Sequence, residues 1–357
     1  MKNTIIERAK AGKLVLIAEI GVNYYDIAKK LDISIMDAAK LMIKEAHGAG
    51  IHAVKFQSYK AGTLAAKASP SYWDTTEEPT TSQYELFTKF DSFGECEYAE
   101  LSGYCDGLGI EFLSTPFDIA SADYLYDMMN VYKISSSDLS NIPFIEYQAK
   151  KNKPILLSIG ASNEDEIDRA VAAIRKHNDQ PLVLLHCVLE YPTPYEHAAL
   201  NKITSLRERY PGAIIGYSDH TKPDDNMQVL KTAALLGATV IEKHFTLDKT
   251  LKGNDHYHGM DPSDAEKFLR DMQFIDAIRG DGSLRCLDTE ASARQNARRS
   301  LVAAKDIKSG QIITADMLTF KRPGTGISPS RMEEIIGMRA VCDIADDTIL
   351  QEGMFAK

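Results

Sequence analysis

Lysines, histidines, hydroxyls and carboxylates stand at the ends of short apolar runs throughout this chain. That placement suits a site for an anion beside a divalent ion. Lys55 and Gln57 share a face of the run 53–57, since side chains alternate along a strand. Lys133 ends another run, 131–134, and hydroxyls follow or end several others: Thr115, Ser136, Ser158 and Ser218. Lysine presents a compact charge with three donors, so two of them among hydroxyls form a cradle for a phosphate-type ligand. His220 and His244 end consecutive runs and can converge. Two histidines with nearby carboxylates suit a catalytic divalent ion such as Mn²⁺. Glu242 lies two residues before His244, on the same face, and is placed to act on that ion indirectly or through water. His256-Tyr257-His258 is a rival pair, but it sits in a loop between Gly253 and Gly259, so His220 and His244 are the expected ligands.

The elements that must position these groups are eight β-rich runs: 15–20, 53–57, 111–115, 131–134, 155–158, 182–186, 213–217 and 239–243. Segments of helical spacing separate them. Ile35, Ala38, Ala39, Met42, Ile43 and Ala46 form one apolar stripe. Ile167, Ala170, Val171 and Ile174 form another, with Asn163 as its expected N-cap. Eight strand–helix units predict a (β/α)₈ TIM barrel, whose chemistry sits at the C-terminal ends of its strands. Two stretches break the rhythm. Residues 60–95 are long for a strand–helix connection and hold the single Trp73; a lid and a peripheral subdomain both fit. After Gly280-Asp281-Gly282 comes an arginine-rich stretch, then a small module that repeats itself without gaps: Ala303 to Met317 matches Ala340 to Met354. The expected domains are a barrel over 1–282, a linker over 283–299 and a β-rich module with pseudo-twofold symmetry over 300–357.

The bulk properties remove several function classes. With 357 residues, 44% hydrophobic and 26% charged, the chain reads as a soluble globular protein. A net charge of −10 without a large basic cluster argues against a nucleic-acid partner. Five cysteines, none in a C-x-x-C pair, fit reduced thiols and a cytoplasmic setting. No apolar run suggests a membrane span, and residues 1–13 lack the pattern of a signal peptide.

Taken in order, the motifs resemble those of the sialic acid (N-acylneuraminate, or nonulosonate) synthase family. They are Ala18-Glu19-Ile20-Gly21-Val22-Asn23, Val54-Lys55-Phe56-Gln57, Leu113-Ser114-Thr115-Pro116-Phe117, Tyr132-Lys133-Ile134, Leu185-His186-Cys187, Tyr191-Pro192-Thr193-Pro194, Gly216-Tyr217-Ser218-Asp219-His220-Thr221 and Glu242-Lys243-His244-Phe245-Thr246. Lys321-Arg322-Pro323-Gly324-Thr325-Gly326 is similar to the antifreeze-like (SAF) domain that ends such enzymes. The resemblance implies a transferase that condenses phosphoenolpyruvate with N-acetylmannosamine or a related sugar and releases phosphate. By the family pattern, Lys55, Gln57, Thr115, Lys133, Ser136, Ser158 and Ser218 form the phosphoenolpyruvate site. His220 and His244 hold the metal, Mn²⁺ first, with Mg²⁺ or Co²⁺ as alternatives. Asp138 and Tyr191 contact the sugar. Glu19, Asp255 and Glu242 are the catalytic carboxylates. Arg322 reaches the sugar from the partner's tail in a domain-swapped homodimer. Departures bear on the acceptor: some members have a longer acid where Asp138 stands and an asparagine where Leu189 stands. The segment from Gly253 to His258 is richer in histidine than in members making ordinary sialic acid. Legionaminic, pseudaminic, deaminated sialic and spore-coat sugars stay open as products.

Overall fold

The computed structural model describes residues 4–73, 75–253 and 255–357. The chain divides into two compact units, Met1–Ile278 and Arg279–Lys357. In the first, eight parallel strands run β1 Val15–Gly21, β2 Ala53–Ser58, β3 Glu111–Pro116, β4 Tyr132–Ile134, β5 Ile155–Ser158, β6 Leu182–Cys187, β7 Ile214–Asp219 and β8 Val240–His244. Their order is β3-β2-β1-β8-β7-β6-β5-β4, and β4 lies against β3, so the sheet closes. Each predicted run falls within two residues of its strand.

Nearly every strand residue is buried because the barrel covers both faces, and the two faces separate by alternation. Val15, Ile17, Ala53, Leu113, Val131, Leu156, Val183, Leu185 and Val240 fill the lower interior, where Ile5, Ile6 and Ala9 of the helix Thr4–Lys10 plug it. Glu111 fixes that plug by accepting from the Ile5 amide at 2.9 Å. Leu16, Ala18, Ile20, Val54 and Phe56 face outward and pack with the apolar sides of the helices. One of these, Ile35–Gly48, carries the predicted stripe; another, Glu164–Arg175, starts with a reciprocal capping box between Asn163 and Glu166.

Between barrel wall and helices lies a buried polar group. Lys243 Nζ pairs with Asp219 and donates to Thr221 O at 2.7 Å, while Tyr217 OH donates to Asp219 Oδ1 at 2.7 Å. Its side chains sit one strand position out of phase with the catalytic face. Gly216 marks the tightest strand packing: a Cβ there would lie 2.3 Å from Leu185 Cδ2 and 2.4 Å from Val240 O. Backbone cannot step aside as a side chain can. Gly216→Ala is therefore expected to cost about 1–3 kcal/mol or more through overpacking. It would appear as a lower denaturant midpoint at unchanged slope; an unchanged midpoint would refute the packing argument.

The second unit has its own core around Leu301, Ile307, Ile313, Ile335, Ala340, Ile344 and Leu350. Strands β9 Ser300–Ala303 and β10 Leu318–Lys321 pair antiparallel, as do β11 Arg339–Ala340 and β12 Phe355–Ala356. The sequence repeat is spatial too. Ala304 N donates to Met317 O and Val341 N to Met354 O, while Ile307 and Ile344 exchange two 2.8 Å bonds across the pseudo-twofold. The expected linker differs from an extended strap. It contains the helix Ala291–Asn296, and Gly324 N donates to Gln295 O at 2.8 Å, because the chain before β9 packs on its own module. Among the described residues, no helix is long and apolar enough to cross a membrane.

Candidate active site

The rule that fills the lower barrel also builds its mouth. On most strands the residue two beyond the last interior apolar position is polar. Ile17 leads to Glu19, Ala53 to Lys55 and then Gln57, Leu113 to Thr115, Val131 to Lys133, Leu156 to Ser158 and Val240 to Glu242 and then His244. These groups line one cavity with Ser136, Cys187, Leu189, Tyr191, Ser218 and His220.

Inside it, charge is paired. Lys55 Nζ touches Glu19 Oε2, lies 3.1 Å from Thr115 Oγ1 and 3.6 Å from Glu242 Oε1. Lys133 Nζ lies 3.6 Å from the same Glu242 oxygen, which also accepts from Ser218 Oγ at 3.1 Å. Gln57 Nε2 donates to Glu19 Oε1 at 2.9 Å. Burial pushes Glu19 up to about 7 against the pull of Lys55, so its carboxyl can carry a proton near neutrality. Burial raises Glu242 as well, but Lys133 and Lys55 outweigh it and hold that carboxyl below its ordinary value. Lys133 is pushed down by burial, with Glu242 only partly offsetting it; Lys55, facing both carboxylates, ends up raised. Ser158 Oγ is buried without a partner among the described residues, a donor aimed into the cavity. Ser136 Oγ accepts from Gly160 N at 2.8 Å. A Cβ on Gly160 would come within 3.0 Å of both Ser136 Oγ and Leu189, so glycine keeps that wall open.

A second cavity opens beside the first and shares Gln57, Tyr191 and His244 with it. Its other walls include Asn23, Asp26, Asp255 and, from the insertion, Tyr72, Trp73, Glu78, Phe87 and Phe90. The insertion thus lines a pocket of the site. Lys60 Nζ ties its two ends by bonding the carbonyls of Asp91 and Phe93, and Trp73 Nε1 donates to Glu78 O at 3.1 Å and Thr80 O at 3.2 Å.

The histidines converge where the cavities meet. Ring centroids are 5.4 Å apart for His220–His244 and 4.1 Å for Tyr191–His220. Thr193 N donates to His220 O at 2.9 Å, which holds the Tyr191 loop over β7. His220 Nδ1 faces Val188 O at 2.6 Å, leaving Nε2 for a ligand. Burial lowers His220 to about 4 and His244 well below its ordinary value, so both are neutral, the form that binds metal. Among the described residues, His244, Asp255 and His258 form the group whose ligand atoms all lie within 4.8 Å of one another, close enough to hold an ion. His244 Nδ1 and both His258 nitrogens are buried without hydrogen bonds among the described residues. These orphaned donors, with Asp255 beside them, fit a divalent cation. His256 does not join them: Nδ1 meets Thr246 Oγ1 at 2.7 Å and Nε2 meets Asp26 Oδ2 at 3.3 Å.

Most predicted site residues therefore share one place, and Asp255 lines the second cavity. Asp138 is the exception. It sits in the turn Ser136–Asp138, is not among the residues that line the two cavities, and is bonded by Asn141 Nδ2 at 3.3 Å. Arg322 belongs to the second unit. The sequence reading rated His256 and His258 alike as a rival pair and left the 60–95 insertion open between a lid and a peripheral subdomain. Both lie in long connections beyond the strand ends, where the strand period no longer fixes direction.

Comparison with known proteins gives the chain a family. The NeuB family model matches residues 42–284, and the SAF domain model matches 298–356. The N,N'-diacetyllegionaminic acid synthase of Campylobacter jejuni is 36% identical over 346 residues, covering 95% of this chain and 99% of that one. The crystal structure of an N-acetylneuraminic acid (sialic acid) synthetase from Leptospira borgpetersenii is 30% identical, with a TM-score of 0.67, over 79% of this chain and 90% of that one. A putative spore coat polysaccharide biosynthesis protein E from Chromobacterium violaceum superposes with a TM-score of 0.78 at 25% identity, over 97% and 100% of the two chains. Relatives that match nearly from end to end, and a family model spanning more than half the chain, lead to one assignment: the protein belongs to the NeuB family, with a SAF domain at its C-terminal end.

Proposed function

We propose that the barrel condenses phosphoenolpyruvate with the open-chain aldehyde of an N-acetylated mannosamine-type sugar, giving a nonulosonic acid and inorganic phosphate. The carrying observation is the pair of joined cavities. One is a lysine–hydroxyl cradle and the other a pocket with an aromatic wall, and they meet at Gln57, Tyr191 and His244. Lys55, Lys133, Thr115, Ser136, Ser158 and Ser218 hold the phosphate and carboxylate of phosphoenolpyruvate, which orients its C3 toward the second cavity. C3 attacks the aldehyde carbon, water adds at C2, and the C2–O bond to phosphate breaks. Glu19, held near neutrality in its proton affinity, moves a proton at the oxygens of this exchange; Glu242 stays ionised and fixes both lysines. Asp255 orients groups around the aldehyde. A divalent ion held by His220 and His244 would supply Lewis-acid polarisation of that aldehyde. Mn²⁺ suits these imidazoles better than Mg²⁺ does. The likeness to an N,N'-diacetyllegionaminic acid synthase favours including diacetylated amino sugars among the acceptors to test.

The test is a panel of amino-sugar acceptors with phosphoenolpyruvate, read by phosphate release and by product mass. One acceptor should give both signals in equal amounts. Phosphate release without any new carbon–carbon product would overturn the reading.

The proposal extends to assembly. Arg322 of the partner subunit would close the sugar pocket in a domain-swapped homodimer, its planar fork meeting sugar oxygens or an acetamido carbonyl. Mixing Arg322→Ala with Lys55→Ala protein under subunit exchange should restore activity, since one mixed site pairs an intact barrel with an intact tail. Proven exchange without recovery, or a monomer by solution scattering, would rule out the shared site.

A further inference from the structure

The loop after β8 folds back on its own strand. Met260 N donates to His244 O at 2.7 Å and Thr246 N to Met260 O at 3.0 Å, so residues 255–259 arch over the end of β8. Gly259 permits this close return: a Cβ there would lie 3.0 Å from Asp255 O and 3.4 Å from His244 O. His256 anchors the arch through Thr246 and Asp26, and Asn23 Nδ2 adds a 3.0 Å bond to Phe245 O. The residue left pointing at the histidine pair is His258. It is fully buried, and neither ring nitrogen has a hydrogen bond among the described residues. An imidazole stripped of water with both nitrogens unpaired is destabilising unless something else binds it. Its surroundings say what that is. The ring lies 4.7 Å from His244 and 6.2 Å from His220, centroid to centroid, with Nε2 3.9 Å from Asp255 Oδ1.

We infer that His258 is a third imidazole ligand of the divalent ion, alongside His220 and His244, with Asp255 as the neighbouring carboxylate. Metal–nitrogen bonds of about 2.1 Å put two imidazoles on one ion about 4.5–6.5 Å apart, centroid to centroid. All three histidine pairs fall in that window. A three-imidazole set is a poor host for Mg²⁺, which prefers oxygen, and a good one for Mn²⁺, Co²⁺ or Zn²⁺. The inference rests on the metal reading above and sharpens it, from two protein ligands to three and from any divalent cation to the imidazole-seeking ones.

The experiment is metal binding by the full-length protein, stripped by chelation and titrated with Mn²⁺ alone. Pulsed EPR of the bound Mn²⁺ counts the coordinated imidazole nitrogens. Wild type should show three imidazoles. His258→Ala should show two, with Mn²⁺ affinity reduced at least about 10- to 100-fold. Excess Mg²⁺ should displace Mn²⁺ poorly from wild type and more readily from the variant. His258→Gln retains a side-chain oxygen and should recover part of the affinity. Because each variant's Tm is compared with and without Mn²⁺, a general packing defect cancels, and His258→Gln carries the test if His258→Ala fails to fold. A His258→Ala protein that binds Mn²⁺ within about twofold of wild type, with unchanged nitrogen couplings, overturns this inference. If His220→Ala still loses the ion in that case, the two-histidine reading survives. Wild type that binds no Mn²⁺ at all overturns both.

Discussion

Lys133→Ala is expected to raise the KM for phosphoenolpyruvate by about 10- to 150-fold and to lower kcat, while the protein stays folded. The lysine's amine sits in the cradle 3.6 Å from Glu242, its one ion-pair partner among the described residues, so most of its charge is free for a bound anion. A hydrogen bond to a charged group is worth about 1.5–3 kcal/mol, and each 1.4 kcal/mol is tenfold. Lys55→Ala should cost activity too, but with a second symptom. Lys55 pairs with Glu19 and lies 3.6 Å from Glu242, so its removal leaves two buried carboxylates undercompensated. Breaking a buried pair this way costs about 3–5 kcal/mol of stability. The two variants should therefore split: both lose phosphoenolpyruvate binding, and Lys55→Ala also melts earlier. Steady-state kinetics beside thermal denaturation checks this. A Lys133→Ala enzyme whose phosphoenolpyruvate KM is unchanged, with only acceptor affinity lost, would mean the two cavities have been assigned the wrong way round.

Removing the divalent ion should have the largest effect of all. Chelation is expected to reduce turnover by about three orders of magnitude, in line with the several kcal/mol that Lewis-acid polarisation supplies, and added Mn²⁺ should restore it. His220→Ala and His244→Ala should mimic chelation without rescue. His256→Ala separates ligands from supports. That ring is fully engaged by Thr246 and Asp26, so its loss should loosen the loop and lower Tm while the ion remains. Near-normal turnover in His220→Ala, or loss of the ion from His256→Ala with retention in His244→Ala, would reverse the assignment. The measurement is metal content of the purified variants beside initial rates.

Much of this site was legible before any coordinates. Strand alternation put Lys55 with Gln57 and Glu242 with His244, and the ends of the runs marked Thr115, Lys133 and Ser158, while the family resemblance added Glu19. The strand–helix rhythm supplied closure, and with it the convergence of groups far apart in the chain. The gapless repeat in the tail likewise announced its pseudo-twofold, since identical spacing produces identical hydrogen bonds at Ala304 and Val341.

Other features depend on how the chain returns on itself, which no local pattern records. His256 and His258 are two residues apart in one loop and look alike in sequence. Only the pairing of Met260 with His244 and Thr246 turns one ring to a structural bond and leaves the other facing His220 and His244. Asp138 entered as a sugar contact through the family pattern, and the structure adds that it sits in a 3₁₀ turn, where Asn141 bonds it. The insertion's place after a strand left a lid and a peripheral subdomain both open; its aromatic side chains line the second cavity, and Lys60 ties its two ends together beside β2. Periodicity is a property of neighbours along the chain and survives in the sequence. Loop direction is decided by long-range hydrogen bonds and packing, so it appears only once the barrel is closed.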